Sequence, residues 1–381
     1  MRSRTIVTWG LVAAVLGSAA AAAAEDGAKP ARLLVVTVTT GFRHASIATA
    51  EPVLEELGRA GGLFHVDFLR MPPGRPPAPR APKRAAGTSD ADWQAQEAAF
   101  KQEQETFKAA DAVWQKGLAE QCGRVFSAAG LAPFDGVIFA STSGDLPLPD
   151  MGGFLEWIRS GKAFIGIHAA TDTFKQSDAY IEMIGGCFAG HPWNSGGEHA
   201  FVVHDPGHPV AAMFGERFRW KDEIYQYDLR YKPEALRVLV SLDMAASHPK
   251  EPWHVPVAWV REYGKGRVFS TNFGHNDATW RDPRFQKHIE QGITWALGRH
   301  EAQAEPNPDV QAAEYVRSAV AAAAAVVNKN TDDLLAKANA KIAANPAWAT
   351  GLRPMLLEIR APEPADRAAV LARLVAEIEK P

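Results

Sequence analysis

The chain has 381 residues, of which 46% are hydrophobic and 22% are charged, and its formal net charge at pH 7 is −3. This composition is ordinary for a soluble globular protein, and the length suffices for one large α/β domain with appendages or for two domains. A mildly acidic chain without a basic stripe lacks the electrostatic footprint of a nucleic-acid binder, so nucleic acid is not expected as a partner.

The N-terminus predicts a secretory signal peptide over residues 1–24. Arg2 and Arg4 form a basic start, residues 6–16 are an apolar run, and small residues precede a cleavage site near Ala24. The run is too short for a comfortable membrane span and no later segment resembles an anchor, so no membrane insertion is expected. Cleavage removes two arginines and moves the formal charge from −3 to −5. We therefore expect an exported protein, either periplasmic or secreted.

Apolar, β-branched runs alternate with helix-like segments along the middle of the chain. The run at 33–39 is nearly continuous, which is typical of a strand buried on both faces of a parallel sheet. Further strands are predicted at 64–69, 134–140, 163–165, 200–203, 236–241, 255–261 and 267–271, and helices at 46–57, 151–160 and 284–297. This alternation predicts a flavodoxin-like three-layer α/β sandwich over residues 30–298.

An insertion is predicted between the second and third strands, at residues 72–125. The segment 71–83 carries six prolines and cannot form a regular helix or a central strand. The polar stretch 90–116 is helix-like and has an aromatic residue at every seventh position from Trp93 to Trp114. We expect this aromatic face to cover the core or to pack on itself rather than to bind a ligand.

The last part of the chain, residues 301–381, predicts a helical appendage. It is rich in alanine and has helix-like runs at 310–329, 332–344 and 364–380. Two roles remain open, since these helices can cover the α/β domain or contact a partner, such as a second copy of the chain.

Cys122 and Cys187 are the only cysteines. In an exported protein they can form a disulfide, but two buried free thiols are also open, and we favour the free thiols. Neither is expected to be a catalytic nucleophile, because neither belongs to a Cys-X-X-Cys pair or occupies the tight turn at residues 166–173.

Four histidines follow predicted strands or glycine-rich turns. His168 is the most informative, because the segment 166–173 predicts a strand-to-helix turn that aims one side chain into a crevice. A lone buried histidine is more often structural, but His44, His191 and His275 occupy comparable positions. Ligands of open α/β sheets bind outside the carboxyl ends of the strands. We therefore expect all four histidines to line one crevice there, with at least three close enough to share a metal or a bound sugar.

The spacing of the imidazoles would distinguish these two ligands. Zinc-ligating nitrogens lie about 2.0–2.1 Å from the metal, and therefore not much beyond ~4 Å from each other. A sugar-sized pocket surrounded by acid–base groups would separate the nitrogens by roughly 5–9 Å.

Acidic and aromatic residues complete the predicted site. Glu223 is preferred over Asp222, since an alternating segment turns one of the two to solvent and Glu223 shares its face with Tyr225. The predicted catalytic residues are His168, Glu223, His275 and Asp172, and the predicted substrate-binding residues are His44, Thr171, Trp193, Tyr225 and Trp259. The two tryptophans are included because an aromatic ring can stack on the apolar face of a sugar. His168 and His191 are the predicted ligands of a divalent metal such as zinc or manganese.

Eight short motifs occur in the order and spacing of a known family. They lie at 41–44, 144–145, 166–173, 185–192, 222–225, 256–259, 263–269 and 274–275. Together they resemble the ThuA-like (trehalose utilisation) family, which shares the fold of class I glutamine amidotransferases, from about residue 32 to 298. The resemblance implies that His168 stands where an amidotransferase has its cysteine nucleophile. Because that substitution removes the thiolate needed for glutamine hydrolysis, amidotransferase activity is not expected.

The resemblance also implies a role in the use of disaccharides, particularly of sugars oxidised to 3-keto derivatives. The first hypothesis is an exported carbohydrate-active enzyme, a lyase, hydrolase or isomerase of keto-sugars or glycosides that uses acid–base chemistry with or without a metal. The alternative is a non-catalytic sugar-binding module that serves a partner oxidoreductase. Several titratable groups in one crevice favour the enzyme. A third, weaker interpretation is a scaffold whose C-terminal helices recruit partners.

Overall fold

The computed structural model describes residues 29–360 and 364–381. The predicted signal peptide at 1–24 lies outside the described residues. Within them, no helix combines the length and the apolar character that crossing a membrane requires.

The described residues form one nine-stranded mixed sheet. Its strands are β1 (Ala31–Val36), β2 (Phe64–Leu69), β3 (Gly136–Ala140), β4 (Ala163–Ile167), β5 (Glu198–Val203), β6 (Arg217–Lys221), β7 (Arg237–Leu242), β8 (Pro256–Tyr263) and β9 (Gly266–Thr271). Their order across the sheet is β2-β1-β3-β4-β9-β8-β7-β5-β6. The strands from β2 to β9 in this order are parallel, and the pairs beyond β9 are antiparallel. The carboxyl ends of β1, β3, β4 and β9 therefore meet at one edge.

Helices connect the parallel strands and follow the sheet. In the described residues they are α1 (Ile47–Gly61), α2 (Asp90–Val125), α3 (Ala128–Leu131), α4 (Met151–Arg159), α5 (Asp178–Ile184), α6 (Asp277–Arg281), α7 (Pro283–Ala296), α8 (Pro308–Val326), α9 (Thr331–Ala344), α10 (Ala347–Gly351), α11 (Arg353–Ile359) and α12 (Pro364–Glu379). Short 3₁₀ helices lie at His168–Asp172, Ala212–Phe214 and Pro233–Ala235.

Both faces of the sheet are covered, which produces two apolar cores. On one face, α1 and α7 contribute Leu54 and Ile293 to a core shared with the strands. On the other face, α2 and α4 contribute Leu118 and Phe154 to a second core. Strands β3 and β4 are buried at every position, as expected of strands between two helical layers. The predicted three-layer α/β sandwich is therefore confirmed.

Strand β6 is absent from the predicted set, and its position explains why. It is an edge strand in which only Trp220 is buried, so it lacks the apolar run that marks the central strands. The prediction of strand–helix alternation likewise holds up to β4 and then gives way to antiparallel pairing.

The predicted insertion contains one long helix, α2, which extends beyond the predicted end at 116. Its buried residues are Trp114, Leu118 and Cys122, so the second half of the helix packs on the sandwich. The indole N–H of Trp114 donates to the carbonyl oxygen of Pro72 over 3.2 Å. This bond joins the helix to the proline-rich segment.

The C-terminal helices are present and bury an apolar cluster of their own. It includes Val316, Leu334 and Leu374 from α8, α9 and α12. Helix α8 also contacts the α/β domain through Gln311, which is 2% exposed. The appendage is therefore packed against the end of the sheet where β7 begins.

Cys122 and Cys187 are both buried and free, as favoured from the sequence. Burial raises the pKa of each thiol to about 11. Neither is therefore a thiolate at neutral pH, which agrees with their exclusion as nucleophiles.

Candidate functional site

The turn after β4 holds His168 in an uncommon backbone conformation. Its φ is 53°, in the left-handed region that residues other than glycine rarely adopt. Nδ1 of His168 lies 2.8 Å from the backbone carbonyl oxygen of Asn272, which can only accept. Nδ1 therefore carries the proton and donates it, so Nε2 presents a lone pair. The turn thus fixes both the position and the tautomer of this histidine.

Three further side chains converge on His168 from distant parts of the chain. His44 follows β1, Glu223 follows β6 and His275 follows β9, and one ligand atom from each of the four lies within 4.8 Å of the others. We call these four residues the histidine cluster. Nε2 of His168 is 3.2 Å from Nε2 of His44 and 3.7 Å from Oε2 of Glu223. Nε2 of His275 is 3.7 Å from the same oxygen, and a group of this composition could hold a metal ion.

Tyr225 contacts the same imidazole nitrogens. Its hydroxyl is 3.1 Å from Nε2 of His168 and 3.5 Å from Nε2 of His44. Burial raises the pKa of Tyr225, so the hydroxyl stays protonated and donates to one of these nitrogens. The backbone N–H of Tyr225 donates to Oδ1 of Asn272 over 2.8 Å. Asn272 therefore orients both His168 and Tyr225.

Burial keeps two imidazoles of the histidine cluster neutral. Burial, followed by the neighbouring imidazoles of His275 and His191, lowers the pKa of His44 to about 4. Burial and then His44 hold the pKa of His168 well below its ordinary value, despite the hydrogen bond to Asn272. Neutral imidazole is the form that binds a metal or accepts a proton. Both reactions are therefore accessible to these residues at neutral pH.

Asp222 joins the two segments that carry Glu223 and His275. Its carboxylate accepts the backbone N–H of Gly274 at 2.7 Å, of Asn276 at 2.9 Å and of Glu223 at 3.1 Å. Burial raises the pKa of Asp222 to about 6, against the effect of these bonds. Asp222 is thus a positioning residue for the histidine cluster.

One expectation about this segment is wrong. Neither Asp222 nor Glu223 faces solvent, since they are 0% and 8% exposed. Strand β6 ends at Lys221, so its alternation does not continue into the two carboxylates. Residues 222–225 instead form hydrogen bonds to the segment that follows β9.

The structure places His191 at the surface beside Glu223 and not within the cluster. Its side chain is 53% exposed, and its Nδ1 lies 3.3 Å from Oε1 of Glu223. The group of four that could share a metal therefore contains His168 but not His191, which corrects the predicted pair of ligands. His191 instead contacts the carboxylate oxygen that points away from His168 and His275.

The two other residues predicted after the turn lie beside the site. Thr171 is buried, and Oδ1 of Asp172 forms an ion pair with Nζ of Lys175 at 3.3 Å. Burial raises the pKa of Asp172, while Lys175 opposes that shift. Asp172 is therefore paired with Lys175 and outside the four residues that converge on His168.

Neither predicted tryptophan offers a face to a ligand. Trp193 and Trp259 are each 0% exposed. The indole N–H of Trp193 donates to the carbonyl oxygen of Pro249, and that of Trp259 donates to the carbonyl oxygen of Ile184, both over 2.8 Å. Both are core residues with satisfied donors, so the expectation that they stack on a sugar is corrected.

The fold and the site together define an α/β sandwich with imidazoles and a carboxylate gathered at the carboxyl edge of its parallel strands. The chain belongs to the ThuA family: the family model described as trehalose utilisation matches residues 32–296. The resemblance predicted from the motifs is therefore confirmed. No curated protein matches the chain.

Several solved structures are similar to the chain at low sequence identity. A ThuA-like protein from Parabacteroides merdae ATCC 43184 is 18% identical with a TM-score of 0.46, covering 75% of this chain and 99% of that chain. A ThuA-like protein from Bacteroides uniformis ATCC 8492 is 17% identical with a TM-score of 0.47, covering 74% and 96%. The glutaminase domain of Trypanosoma brucei CTPS with bound acivicin is 10% identical with a TM-score of 0.35, covering 72% and 96%.

Proposed function

We propose that the protein is an exported carbohydrate-active enzyme of keto-sugars or glycosides and that the histidine cluster is its reaction centre. The observation that carries this proposal is the convergence of three imidazoles and one carboxylate, with one ligand atom from each within 4.8 Å of the others. Titratable groups gathered in this way usually serve chemistry rather than stability. The description of the family as trehalose utilisation supports a sugar as the substrate.

We further propose that the cluster binds a divalent metal such as zinc or manganese. Nε2 of His168 and Nε2 of His44 are 3.2 Å apart, within the ~4 Å that two ligands of one zinc ion allow. The bond from Nδ1 of His168 to a backbone carbonyl is the usual support of a metal-binding imidazole. His44, His168 and His275 would hold the ion, beside Glu223. When bound, the metal would supply positive charge next to a substrate oxygen.

Removal of a proton from carbon is the reaction that we assign to these residues. A ketone acidifies the C–H bond beside it, and Glu223 acts as the base that accepts this proton. The electron pair of the C–H bond forms a C=C bond, and the glycosidic C–O bond at the next carbon breaks. His191, whose Nδ1 is 3.3 Å from Oε1 of Glu223, gives a proton to the departing oxygen. Glu223 gains one proton and His191 loses one, so the step is balanced. Transfer of the proton from Glu223 to His191 across their contact restores both groups.

The proposal is tested with methyl 3-keto-glucoside in D₂O, with added zinc or manganese. NMR should show deuterium at the carbon beside the ketone and release of methanol, and elemental analysis should find about one metal per chain. Glu223→Gln keeps the shape of the side chain but removes the base, so exchange and release should fall at least about 100-fold. Glu216→Gln, which changes an exposed glutamate before β6, is the matched control.

The same experiment separates an enzyme from a sugar-binding module. A module that serves a partner oxidoreductase would bind the keto-glucoside without metal and leave its C–H bond unexchanged. Absence of both binding and exchange would defeat the enzyme and the module together.

A further inference from the structure

One aromatic side chain is exposed beside the histidine cluster. Phe42 is 68% exposed, and it is the only aromatic residue among the large hydrophobic side chains that are exposed in residues 29–360 and 364–381. Its ring centroid lies 4.8 Å from that of His44, edge to face at 79°. Trp193 and Trp259 are buried and offer no ring to a ligand, whereas Phe42 presents an accessible aromatic surface beside His44.

The loop that carries Phe42 is fixed by the turn after β3. The backbone N–H groups of Thr40 and Gly41 donate to the carbonyl oxygen of Ser143 at 2.9 and 3.1 Å. The hydroxyl of Ser143 donates to the carbonyl oxygen of Phe42 at 2.6 Å. A Cβ on Gly41 would lie 3.1 Å from Oγ of Ser143, so the loop and the turn pack closely. Phe42 is therefore presented on a rigid backbone, as a binding platform requires.

A second aromatic ring contacts Tyr225 and His191 beside the cluster. The ring of Phe188 is 4.3 Å from that of Tyr225 and is stacked on His191 at 5.9 Å and 18°. A row of rings connects Phe188 to Phe42, and the centroids of neighbouring rings in it are 4.3 to 4.8 Å apart. The row consists of Phe42, His44, His168, Tyr225 and Phe188. His44, His168 and Tyr225 thus connect Phe42 to Phe188.

We propose that Phe42 stacks on the second ring of a two-ring keto-glycoside while the keto ring lies at the histidine cluster. A pyranose presents a face of C–H bonds, and an aromatic ring binds that face at little entropic cost because it is rigid. The substrate would then be a disaccharide rather than a free monosaccharide. This assignment rests on the proposed function, since it takes the cluster as the place of the keto ring.

The test compares the affinities of 3-keto-trehalose and methyl 3-keto-glucoside by calorimetry, in a Glu223→Gln background that prevents turnover. The disaccharide should bind more tightly than the methyl glycoside. Phe42→Ala should weaken the disaccharide about 3- to 10-fold and the methyl glycoside much less, because one stacked ring contributes about this much to binding. Phe42→Trp should restore the preference. Leu229→Ala, which truncates another exposed apolar side chain at 62% exposure, is the control.

The outcomes separate this inference from the proposed function. Equal loss for both sugars, or no loss in Phe42→Ala, overturns the role of Phe42 and leaves the enzyme standing. If the parent protein binds neither sugar, the proposed function fails as well. Phe42 is largely exposed, so Phe42→Ala should stay folded. A thermal melting curve of the variant checks this.

Discussion

Two imidazole nitrogens that face each other define the chemistry of the site at the scale of single residues. Nε2 of His168 bears a lone pair because its Nδ1 donates to Asn272. This lone pair has two close neighbours, Nε2 of His44 at 3.2 Å and the hydroxyl of Tyr225 at 3.1 Å, and a cation between the imidazoles would use both nitrogens. Nδ1 of His44 is buried without a hydrogen-bond partner in the structure. His44 is thus the less firmly held of the two, and His168 is the anchor of the cluster.

Replacing Asp222 with asparagine tests its positioning role. An amide has one acceptor oxygen and an NH₂ group that would face backbone N–H donors, so at least one of three hydrogen bonds is lost. Asp222→Asn should therefore lower the free energy of unfolding by about 1–3 kcal/mol. It should also weaken zinc binding about 10- to 100-fold, as loss of a supporting residue does at metal sites.

Urea unfolding and zinc titration at pH 7 measure the two effects of Asp222→Asn. Asp366→Asn, an exposed change in α12, is the matched control. Unchanged zinc affinity in a destabilised Asp222 variant would show that this carboxylate supports only the fold.

At the scale of strands and helices, the sequence predicts what local patterns encode. Strands β1, β3 and β4 are apolar runs, so the sequence locates them, with carboxyl ends a few residues off for β1 and β4, and it points to His44 and His168 beyond them. The motif around residue 275 likewise marks the end of β9.

Contacts between distant segments could not be predicted in this way. Asp222 bonds to Gly274, 52 residues away, and Asn272 bonds to His168, 104 residues away. Nothing in the local sequence of either residue marks these contacts. The same holds for Trp193, whose burial depends on which elements fold over it, so its exposure was predicted wrongly.

The buried amide of Gln311 is one of the links between helix α8 and the sheet, beside the bonds of Asn307 to Val238. Nε2 of Gln311 donates to the carbonyl oxygens of Pro233 at 3.0 Å and Leu236 at 2.8 Å, and to Oδ1 of Asn307 at 3.0 Å. Because Gln311 is 2% exposed, water does not replace these bonds when they are lost.

Gln311→Ala should therefore destabilise the protein by about 1–3 kcal/mol, since it removes the hydrogen bonds of a buried amide. Chemical denaturation measures this loss, and limited proteolysis should cut the chain between α7 and α8 sooner. Gln102→Ala, an exposed change in α2, should have little effect. Equal stability of the two variants would mean that the apolar contacts of α8 hold it without the amide.

At the scale of the whole molecule, the antiparallel half of the sheet contains a pair of histidines on one hydroxyl, His254 buried and His204 partly buried. Nε2 of His204 is 2.8 Å from Oγ of Ser241, and this oxygen is 2.7 Å from Nε2 of His254. Ser241 has one proton to donate, so one imidazole accepts it and the other donates to the hydroxyl. Protonation of the imidazole that accepts breaks its bond to the hydroxyl, because its Nε2 then carries a proton of its own.

The groups around this pair oppose its protonation. Burial, followed by Arg317 and Arg217, lowers the pKa of His204 to about 4 from an ordinary value of 6.5. Burial, followed by His204 and Arg360, holds the pKa of His254 well below the same value. Because both pKa values are depressed in the folded state, the unfolded chain binds more protons below pH 6.5. Stability is therefore fully present above pH 6.5 and is lost as the pH falls towards 4.

We therefore expect the free energy of unfolding to fall between pH 6.5 and 4.5 by about 1.4 kcal/mol per pH unit for each of the two histidines. Asp222, whose pKa is raised, gives a slope of the opposite sign in this range. The lowered pKa values of His44, His168 and His288 give slopes of the same sign, and none of these contributions is altered by replacing His254. His254→Gln should therefore reduce the acid slope by about one proton, whatever its effect on stability at pH 7. His65→Gln removes an exposed imidazole in β2 and is the matched control. Urea unfolding at half-unit pH steps gives the slope, and an unchanged slope in His254→Gln would show that this pair does not govern acid stability.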